Sequence, residues 1–220
     1  MSLLARNTDK LPSLDREMEA EASREGRLEI IATHVRRCLR CDLSDRRLHA
    51  VPGEGSATAR LMMVGESPGA SEDAVGRPFV GRSGGVLDRV LNLSSLRRED
   101  VFITSIVKCR SADRAGAKLR NRAPLKWEIG ACRPYLTRQV EIIRPRIILC
   151  LGGSAARGVI DPGFRLTEQR GKFFPGPFSS ELMATFHPAY AGRWKGSVAQ
   201  GRNLEELLLQ DIKMARDRLV

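Results

Sequence analysis

Long apolar runs are missing from this 220-residue chain, and aromatic residues make up only 5% of it. No stretch reaches the roughly 18 consecutive apolar residues that a membrane-spanning helix requires. The first ten residues lack the apolar core of a secretory signal peptide, so we expect a cytoplasmic protein with no membrane partner. Repeats and low-complexity stretches are also missing, which excludes collagen-like and largely disordered chains. The 42% of hydrophobic residues can build the core of one domain.

Acidic residues are outnumbered by basic ones. The chain has 37 Lys and Arg against 26 Asp and Glu, a net charge of +11, and residues 108–126 hold seven basic side chains against Asp113 alone. A localised positive excess is typical of proteins that bind a polyanion such as nucleic acid. A solvated basic face without a partner explains the charge equally well.

Strand and helix patterns alternate along the chain. Short apolar runs bounded by turn residues predict buried strands at 61–64, 101–107, 146–151 and 182–186. Helical patterns cover 15–37, 85–93, 125–143 (interrupted or kinked at Pro134), 154–160 and 199–219, whereas 111–123 and 161–180 are predicted loops. This alternation predicts an α/β fold, with a mostly parallel sheet between helices. We expect a charged helical segment over 1–34 and a single domain over 35–220.

Three polar segments follow predicted strands. They are 65–69, 105–110 and 187–190, and together they contain a carboxylate, a hydroxyl and an imidazole. Ligands of open parallel sheets bind outside the carboxyl ends of the strands. The sequence therefore predicts that one crevice collects these groups.

Five cysteines occur in a chain for which disulfides are not expected. Cys38 and Cys41 form a C-x2-C pair that a short turn can direct at one metal centre, with Cys109 and Cys132 as plausible distant partners. Four thiolates suit zinc or a [4Fe-4S] cluster equally well, and spacing alone favours a metal only slightly over four unrelated cysteines. Cys150 lies in a predicted strand and is interpreted as a small buried hydrophobe.

Taken together, these motifs resemble the family 4 uracil-DNA glycosylases, the iron–sulfur branch of the uracil-DNA glycosylase superfamily. The matching pieces are Cys38-Leu-Arg-Cys41, Gly65-Glu-Ser-Pro-Gly-Ala-Ser-Glu-Asp73, Gly76-Arg-Pro-Phe-Val-Gly-Arg-Ser-Gly84, Ile106-Val-Lys-Cys-Arg110, Asn121-Arg-Ala-Pro124, Ala131-Cys-Arg-Pro134 and His187-Pro-Ala-Tyr190. The resemblance implies a three-layer α/β/α sandwich with a central four-stranded parallel sheet. It also implies a [4Fe-4S] cluster held by Cys38, Cys41, Cys109 and Cys132, and excision of uracil from DNA for base excision repair.

Hydrolysis of the bond between uracil and deoxyribose leaves positive charge on the sugar and negative charge on the base. We expect His187 to donate a hydrogen bond to the departing base, worth about 3 kcal/mol of the barrier. Glu66 is expected to orient or deprotonate the attacking water, and Phe79 to stack on the extruded base. The resemblance implies that Glu72 and Asp73 line the base pocket and exclude the methyl group of thymine. The residues assigned to the base are Gly65, Ser67, Glu72, Asp73, Phe79 and Ser105.

Further residues are assigned to DNA. Arg82, Ser83 and Gly84 open a predicted helix whose backbone N–H groups can hold a phosphate, although a plain N-cap at Ser83 fits these residues equally well. Family members continue past 187–190 with a bulky apolar wedge, and here Tyr190, Arg193 or Trp194 is expected to fill that role. Phosphate contacts are expected from Lys118, Arg120 and Arg122.

Two other departures from the family pattern bear on function. Family members carry asparagine at the position of Ser105, and one hydroxyl cannot reproduce the two hydrogen bonds of an amide, which opens hypoxanthine or another deaminated base as a substrate. No histidine lies between His49 and His187, which argues against the covalent attachment made by the crosslinking branch of the superfamily. No lysine is placed for a lyase step.

We therefore expect a monomeric, monofunctional glycosylase that leaves an abasic site. The alternatives are a non-catalytic or covalent protein that binds uracil or damaged DNA, and a zinc-stabilised nucleic-acid-binding protein without a base pocket.

Overall fold

A computed structural model describes residues 11–115, 118–193, 198–199 and 202–219. The helices are α1 (Pro12–Ala20), α2 (Arg24–Arg36), α3 (Ala70–Val75), α4 (Arg82–Leu93), α5 (Lys126–Ile143), α6 (Gly153–Val159), α7 (Leu166–Gln169), α8 (Pro188–Arg193) and α9 (Leu204–Asp217). The strands are β1 (Glu54–Gly55), β2 (Leu61–Gly65), β3 (Val101–Ser105), β4 (Ala112–Ala115), β5 (Lys118–Asn121), β6 (Ile147–Leu151), β7 (Phe174–Pro175), β8 (Glu181–Thr185), β9 (Val198–Ala199) and β10 (Arg202–Asn203). Short 3-10 turns cover Asp42–Asp45, Arg98–Asp100 and Pro177–Ser179.

The central sheet contains the four predicted strands in the order β3-β2-β6-β8, all parallel. Every residue of β2, β3 and β6 is buried, as expected for a parallel sheet covered on both faces. One face packs against α2, α5 and α6, and the other against α4 and α9. The α/β fold and its three layers are therefore confirmed.

The sheet is wider than the four strands expected, because a short antiparallel strand pairs at each edge. β1 pairs with β3, and β7 pairs with β8, through two residues each. Two-residue strands are too short to produce an alternating pattern in the sequence. Gly55 has φ +129°, and a Cβ atom there would lie 2.0 Å from the carbonyl oxygen of Val101. Pro175 occupies an edge strand, where a missing N–H is tolerated.

The N-terminal region forms two helices where one was predicted over 15–37. The first ends at Ala20, and Ser23 caps the second by accepting a hydrogen bond from the N–H of Gly26. Leu14 and Ile31 are fully buried in the core formed with α5. This segment therefore packs on the rest of the molecule, while the domain boundary at residue 34 stays a prediction.

Two predicted loops contain regular structure. The basic segment 111–123 is an antiparallel hairpin of β4 and β5, and 161–180 holds α7 and β7. The last helix begins later than predicted, at Leu204, because the Asn203 side chain caps it by accepting from the N–H of Glu205. Helix α5 runs through Pro134 without interruption. Within the described ranges, no helix combines the length and apolarity needed to cross a bilayer.

Candidate functional site

A cavity of about 570 Å³ opens at the carboxyl ends of the four parallel strands. Its walls include residues at each of those ends, namely Glu66 after β2, Ser105 in β3, Gly152 after β6 and His187 after β8. Only β6 separates β2 from β8 in the sheet, so the axes of those two strands lie about 10 Å apart. Glu66 and His187 both line this one cavity, beyond the carboxyl end of β6.

Backbone hydrogen bonds hold Glu66 in place. The N–H of Ile106 donates to the carbonyl oxygen of Gly65 at 2.9 Å, and the N–H of Val107 donates to that of Glu66 at 3.2 Å. The pairing of β2 with β3 thus continues past both strand ends into the site. The Glu66 side chain is partly buried.

The orientation of His187 is set by its own turn. The backbone N–H of Ala189 donates to Nδ1 of the imidazole at 3.0 Å. A neutral ring that accepts at Nδ1 carries its proton on Nε2, which is then the donor. Gly152 has φ +98°, and a Cβ atom there would lie 3.1 Å from Cβ of His187, so glycine is required beside the histidine.

Phe79 lies against the imidazole at the cavity wall. Its ring centroid is 5.6 Å from that of His187, with 29° between the planes. A Cβ atom on Gly65 would come within 2.8 Å of the Phe79 ring, and one on Gly84 within 1.9 Å of the Phe79 carbonyl oxygen. Phe79 itself has φ +51°. Gly65 therefore leaves space for the aromatic ring, and Gly84 for the backbone of the same residue.

Glu72 and Asp73 differ in position. Glu72 lines the cavity, and its carboxylate accepts from the N–H groups of Gly69, Val80 and Gly81 at 2.9–3.0 Å. It therefore shapes the loop that carries the aromatic ring. Asp73 is 1% exposed, is not among the residues lining the cavity, and accepts from the N–H of Leu48 at 2.9 Å. The expectation that Asp73 lines the base pocket is corrected, because successive residues of α3 point in different directions.

Three of the predicted DNA-binding residues, Ser83, Arg122 and Tyr190, line this cavity. Helix α4 begins at Arg82, three residues ahead of the helical pattern at 85–93, with Arg82 exposed, Ser83 at the cavity and Gly84 buried. Ser67 also lines the cavity, as does Tyr190, a residue that is 58% exposed. The side chains of Lys118 and Arg193, and all of Trp194, lie outside the described residues.

Arg120 and Arg122 play different parts in the hairpin. Arg120 is exposed. The Arg122 guanidinium donates to both carboxylate oxygens of Glu128 at 2.6 and 2.8 Å, and its Nε donates to Asp113 at 2.9 Å. This bidentate pair ties the hairpin to the start of α5 and occupies most of the donors of Arg122. Arg122 also lines the base cavity, so its contact with a DNA phosphate stays a prediction beside this structural role.

A second, small cavity is lined by all four cysteines of the predicted metal site, Cys38, Cys41, Cys109 and Cys132. Arg47 donates to Sγ of Cys109 at 3.1 Å, and the backbone N–H of Lys108 donates to Sγ of Cys132 at 3.2 Å. Burial raises the pKa of Cys132 to about 12, so ionised sulfur here requires positive charge nearby. Cys150 is fully buried in the core.

Comparison with known proteins identifies the family of this chain. Residues 52–213 match the model of the Uracil DNA glycosylase superfamily. The chain belongs to that superfamily. A type-4 uracil-DNA glycosylase of Thermotoga maritima is 37% identical over 88% of this chain and 95% of its own length. Type-4 enzymes of Saccharolobus solfataricus (44% identical; 74% of this chain, 76% of theirs) and Pyrobaculum aerophilum (42%; 70% and 79%) are also similar.

Two kinds of metal centre bind four thiolates such as the cysteines of this superfamily member. Among the described residues, no three His, Cys, Asp or Glu side chains could hold one metal ion. Zinc brings its four sulfurs within about 4 Å of one another, whereas a [4Fe-4S] cluster binds each cysteine through a different iron. Four cysteines around one cavity, with N–H groups directed at two of their sulfurs, have the ligand chemistry that a [4Fe-4S] cluster needs.

The sequence interpretation missed the cavity residues after β6. Ser154 and Arg157 line the wall there, with Arg157 exposed on α6. The rule that ligands lie at the carboxyl ends of strands had located the segments after the other three strands. Applied to Gly152-Gly153-Ser154, it would have found this fourth segment. Asn121 of β5 lines the cavity too, with its Oδ1 accepting from Arg110 at 2.7 Å.

Proposed function

We propose that the chain is a monofunctional uracil-DNA glycosylase, which hydrolyses the N-glycosidic bond of uracil in DNA and leaves an abasic site for base excision repair. The observation that carries the proposal is the single cavity lined by both Glu66 and His187 at the carboxyl edge of the sheet, in a member of this superfamily. The names of the type-4 relatives support uracil as the base.

The first step is extrusion of the nucleotide, because the glycosidic bond is inaccessible within stacked DNA. The Phe79 ring at the cavity wall is available to stack on the extruded base. Ser105 supplies a hydroxyl at the end of β3, and Ser67 lines the neighbouring wall. Gly65 leaves space for the Phe79 ring. Glu72 acts indirectly, through the three N–H groups that fix the loop of Phe79.

Bond cleavage then requires stabilisation of two opposite charges. His187 donates from Nε2 to the oxygen of the departing base, since Nδ1 accepts from Ala189. Glu66 orients or deprotonates the attacking water on the sugar and offsets the positive charge that develops there. Each group acts from the end of a rigid parallel strand, so little reorganisation accompanies the reaction.

Positive and aromatic residues around the opening hold the DNA. We assign phosphate contacts to Arg82, to the start of α4 at Ser83 and Gly84, and to Lys118 and Arg120 of the hairpin. Tyr190, with Arg193 or Trp194, fills the space that the extruded nucleotide leaves.

Cys38, Cys41, Cys109 and Cys132 would hold a [4Fe-4S] cluster. When bound, the cluster supplies a covalent link between three segments: the turn after α2, the chain after β3, and α5. No step of hydrolysis is assigned to it. We further propose that the protein acts as a monomer in the cytoplasm.

The test is an oligonucleotide panel with uracil, hypoxanthine or xanthine at one position, incubated with protein and then treated with alkali. Strand cleavage at uracil is expected, and a double Glu66→Ala, His187→Ala variant serves as the control. Binding without cleavage of any of the three substrates would contradict the enzymatic proposal and favour a recognition protein. A DNA adduct that survives denaturing electrophoresis would instead reveal covalent capture.

A further inference from the structure

Lys108 is a buried cation located between the two cavities. It is 1% exposed and lines the cavity of the cysteines. Its ammonium group donates to the Thr104 hydroxyl, to the Ser105 carbonyl oxygen at 2.9 Å and to Oε1 of Gln139 at 2.7 Å. All three acceptors are uncharged. Because burying a lysine without a carboxylate partner is costly, its presence here calls for a specific role.

On one side, the Lys108 side chain fixes the wall of the base cavity. Its ammonium group holds the peptide carbonyl of Ser105, whose side chain lines that cavity. The two following N–H groups, of Ile106 and Val107, bond to the backbone of Gly65 and Glu66. The position of the Ser105 peptide therefore sets how the end of β3 pairs with the segment that carries Glu66.

On the other side, the Lys108 backbone belongs to the cysteine site. Its N–H donates to Sγ of Cys132 at 3.2 Å, and the next residue is Cys109. Its carbonyl oxygen accepts from the N–H of Val51 at 2.7 Å, and Val51 also lines the base cavity. One residue thus has direct hydrogen bonds to the walls of both cavities.

We propose that Lys108 is a positioning residue that couples the cysteine site to the base pocket, by locking the Ser105 peptide in the orientation that base binding requires. This inference rests on the proposed function and deepens it. Lys108 does not contact the base. It sets where the Ser105 peptide and, through the N–H groups of Ile106 and Val107, the Glu66 backbone lie.

The test compares Lys108→Met, which keeps the length of the side chain and removes its donors, with Lys213→Met on the exposed face of α9. Free uracil is used as a product inhibitor of cleavage. We expect its inhibition constant to rise about tenfold in Lys108→Met, the effect of losing a hydrogen bond from a charged donor, and to stay unchanged in Lys213→Met. Iron per protein is expected to match the wild type in both, which separates positioning from loss of the cluster.

A second measurement does not depend on activity. Hydrogen exchange of the Ile106 and Val107 amides is expected to accelerate about tenfold in Lys108→Met, because these amides bond to the segment of Glu66. Unchanged exchange together with an unchanged inhibition constant would overturn the inference, whatever the melting temperature. If the methionine variant does not fold, Lys108→Gln, which retains a shorter donor, is judged by the same two measurements. If the wild type does not cleave, the proposed function is refuted but the role of Lys108 is not. The comparison of amide hydrogen exchange between the wild type and Lys108→Met still decides that role.

Discussion

Replacing His187 with alanine removes the donor that we assign to the departing base. The N–H of Ala189 fills Nδ1 at 3.0 Å, so the contribution of the ring to the reaction comes from Nε2. Loss of one preorganised donor to a developing anion costs about 3 kcal/mol, or about a hundredfold in rate. The rate constant of a single turnover on a uracil oligonucleotide, measured with excess protein, is therefore expected to fall by about that factor.

The identity of the leaving group sharpens this prediction. Fluorine on the uracil ring withdraws charge, so a 5-fluorouracil base departs more easily and needs less stabilisation from the protein. The His187→Ala variant is expected to lose less on a 5-fluorouracil substrate than on uracil. His187→Gln, whose amide can place an N–H near the position of Nε2, is expected to recover part of the rate. Equal losses on both substrates, or a variant as fast as the wild type, would refute the assignment of His187 to the departing base.

Three further predictions concern other parts of the molecule. Arg138 hydrogen-bonds to the Asp15 carboxylate and lowers its pKa below 3.8. Asp15→Asn should therefore lower the free energy of unfolding, measured in urea, by about 1 kcal/mol at neutral pH. This difference should fade as the pH falls through the lowered pKa of Asp15, and a difference that does not depend on pH would contradict the prediction. Gly65→Ala would place a Cβ atom 2.8 Å from the Phe79 ring and displace it. Because this disturbs base stacking, the variant should bind a non-cleavable oligonucleotide with uracil about tenfold more weakly. Equal affinities of the variant and the wild type would contradict this prediction. Arg120→Gln should reduce the slope of log affinity against log salt by about one, in anisotropy titrations over a salt series, and an unaltered slope would exclude a phosphate contact there.

The elements that the sequence predicted well are those whose pattern is local. The four parallel strands were visible because each is a short, wholly apolar run, and burial on both faces requires such runs. The edge strands β1 and β7 were missed because two residues carry no periodicity. The hairpin of β4 and β5 was taken as a loop because its Arg and Ala residues have little strand preference. Its geometry depends on Arg122 reaching Glu128, a contact that no local pattern encodes.

The candidate site was predicted in part for the same reason. The end of each strand marks the cavity, so Glu66 and His187 could be brought together from chain order and the rule for parallel sheets. The direction of a side chain within a short helix is a finer property. Asp73 follows Glu72 directly, yet the rotation of one helical residue directs its carboxylate at Leu48 and away from the cavity. The hydrogen bonds of Lys108 depend on tertiary packing and could not be anticipated from the sequence.

The docking of the first two helices has a consequence for any shortened version of this protein. A chain begun after residue 34 would lose Leu14 and Ile31, both fully buried, and would strip the apolar cover from α5, the helix that supplies Cys132. It would also lose the helix that leads directly into Cys38. Deleting this N-terminal region would therefore remove packing that holds Cys38 and Cys132 in place, and we expect a fragment that keeps the cysteine site intact to begin ahead of Leu14.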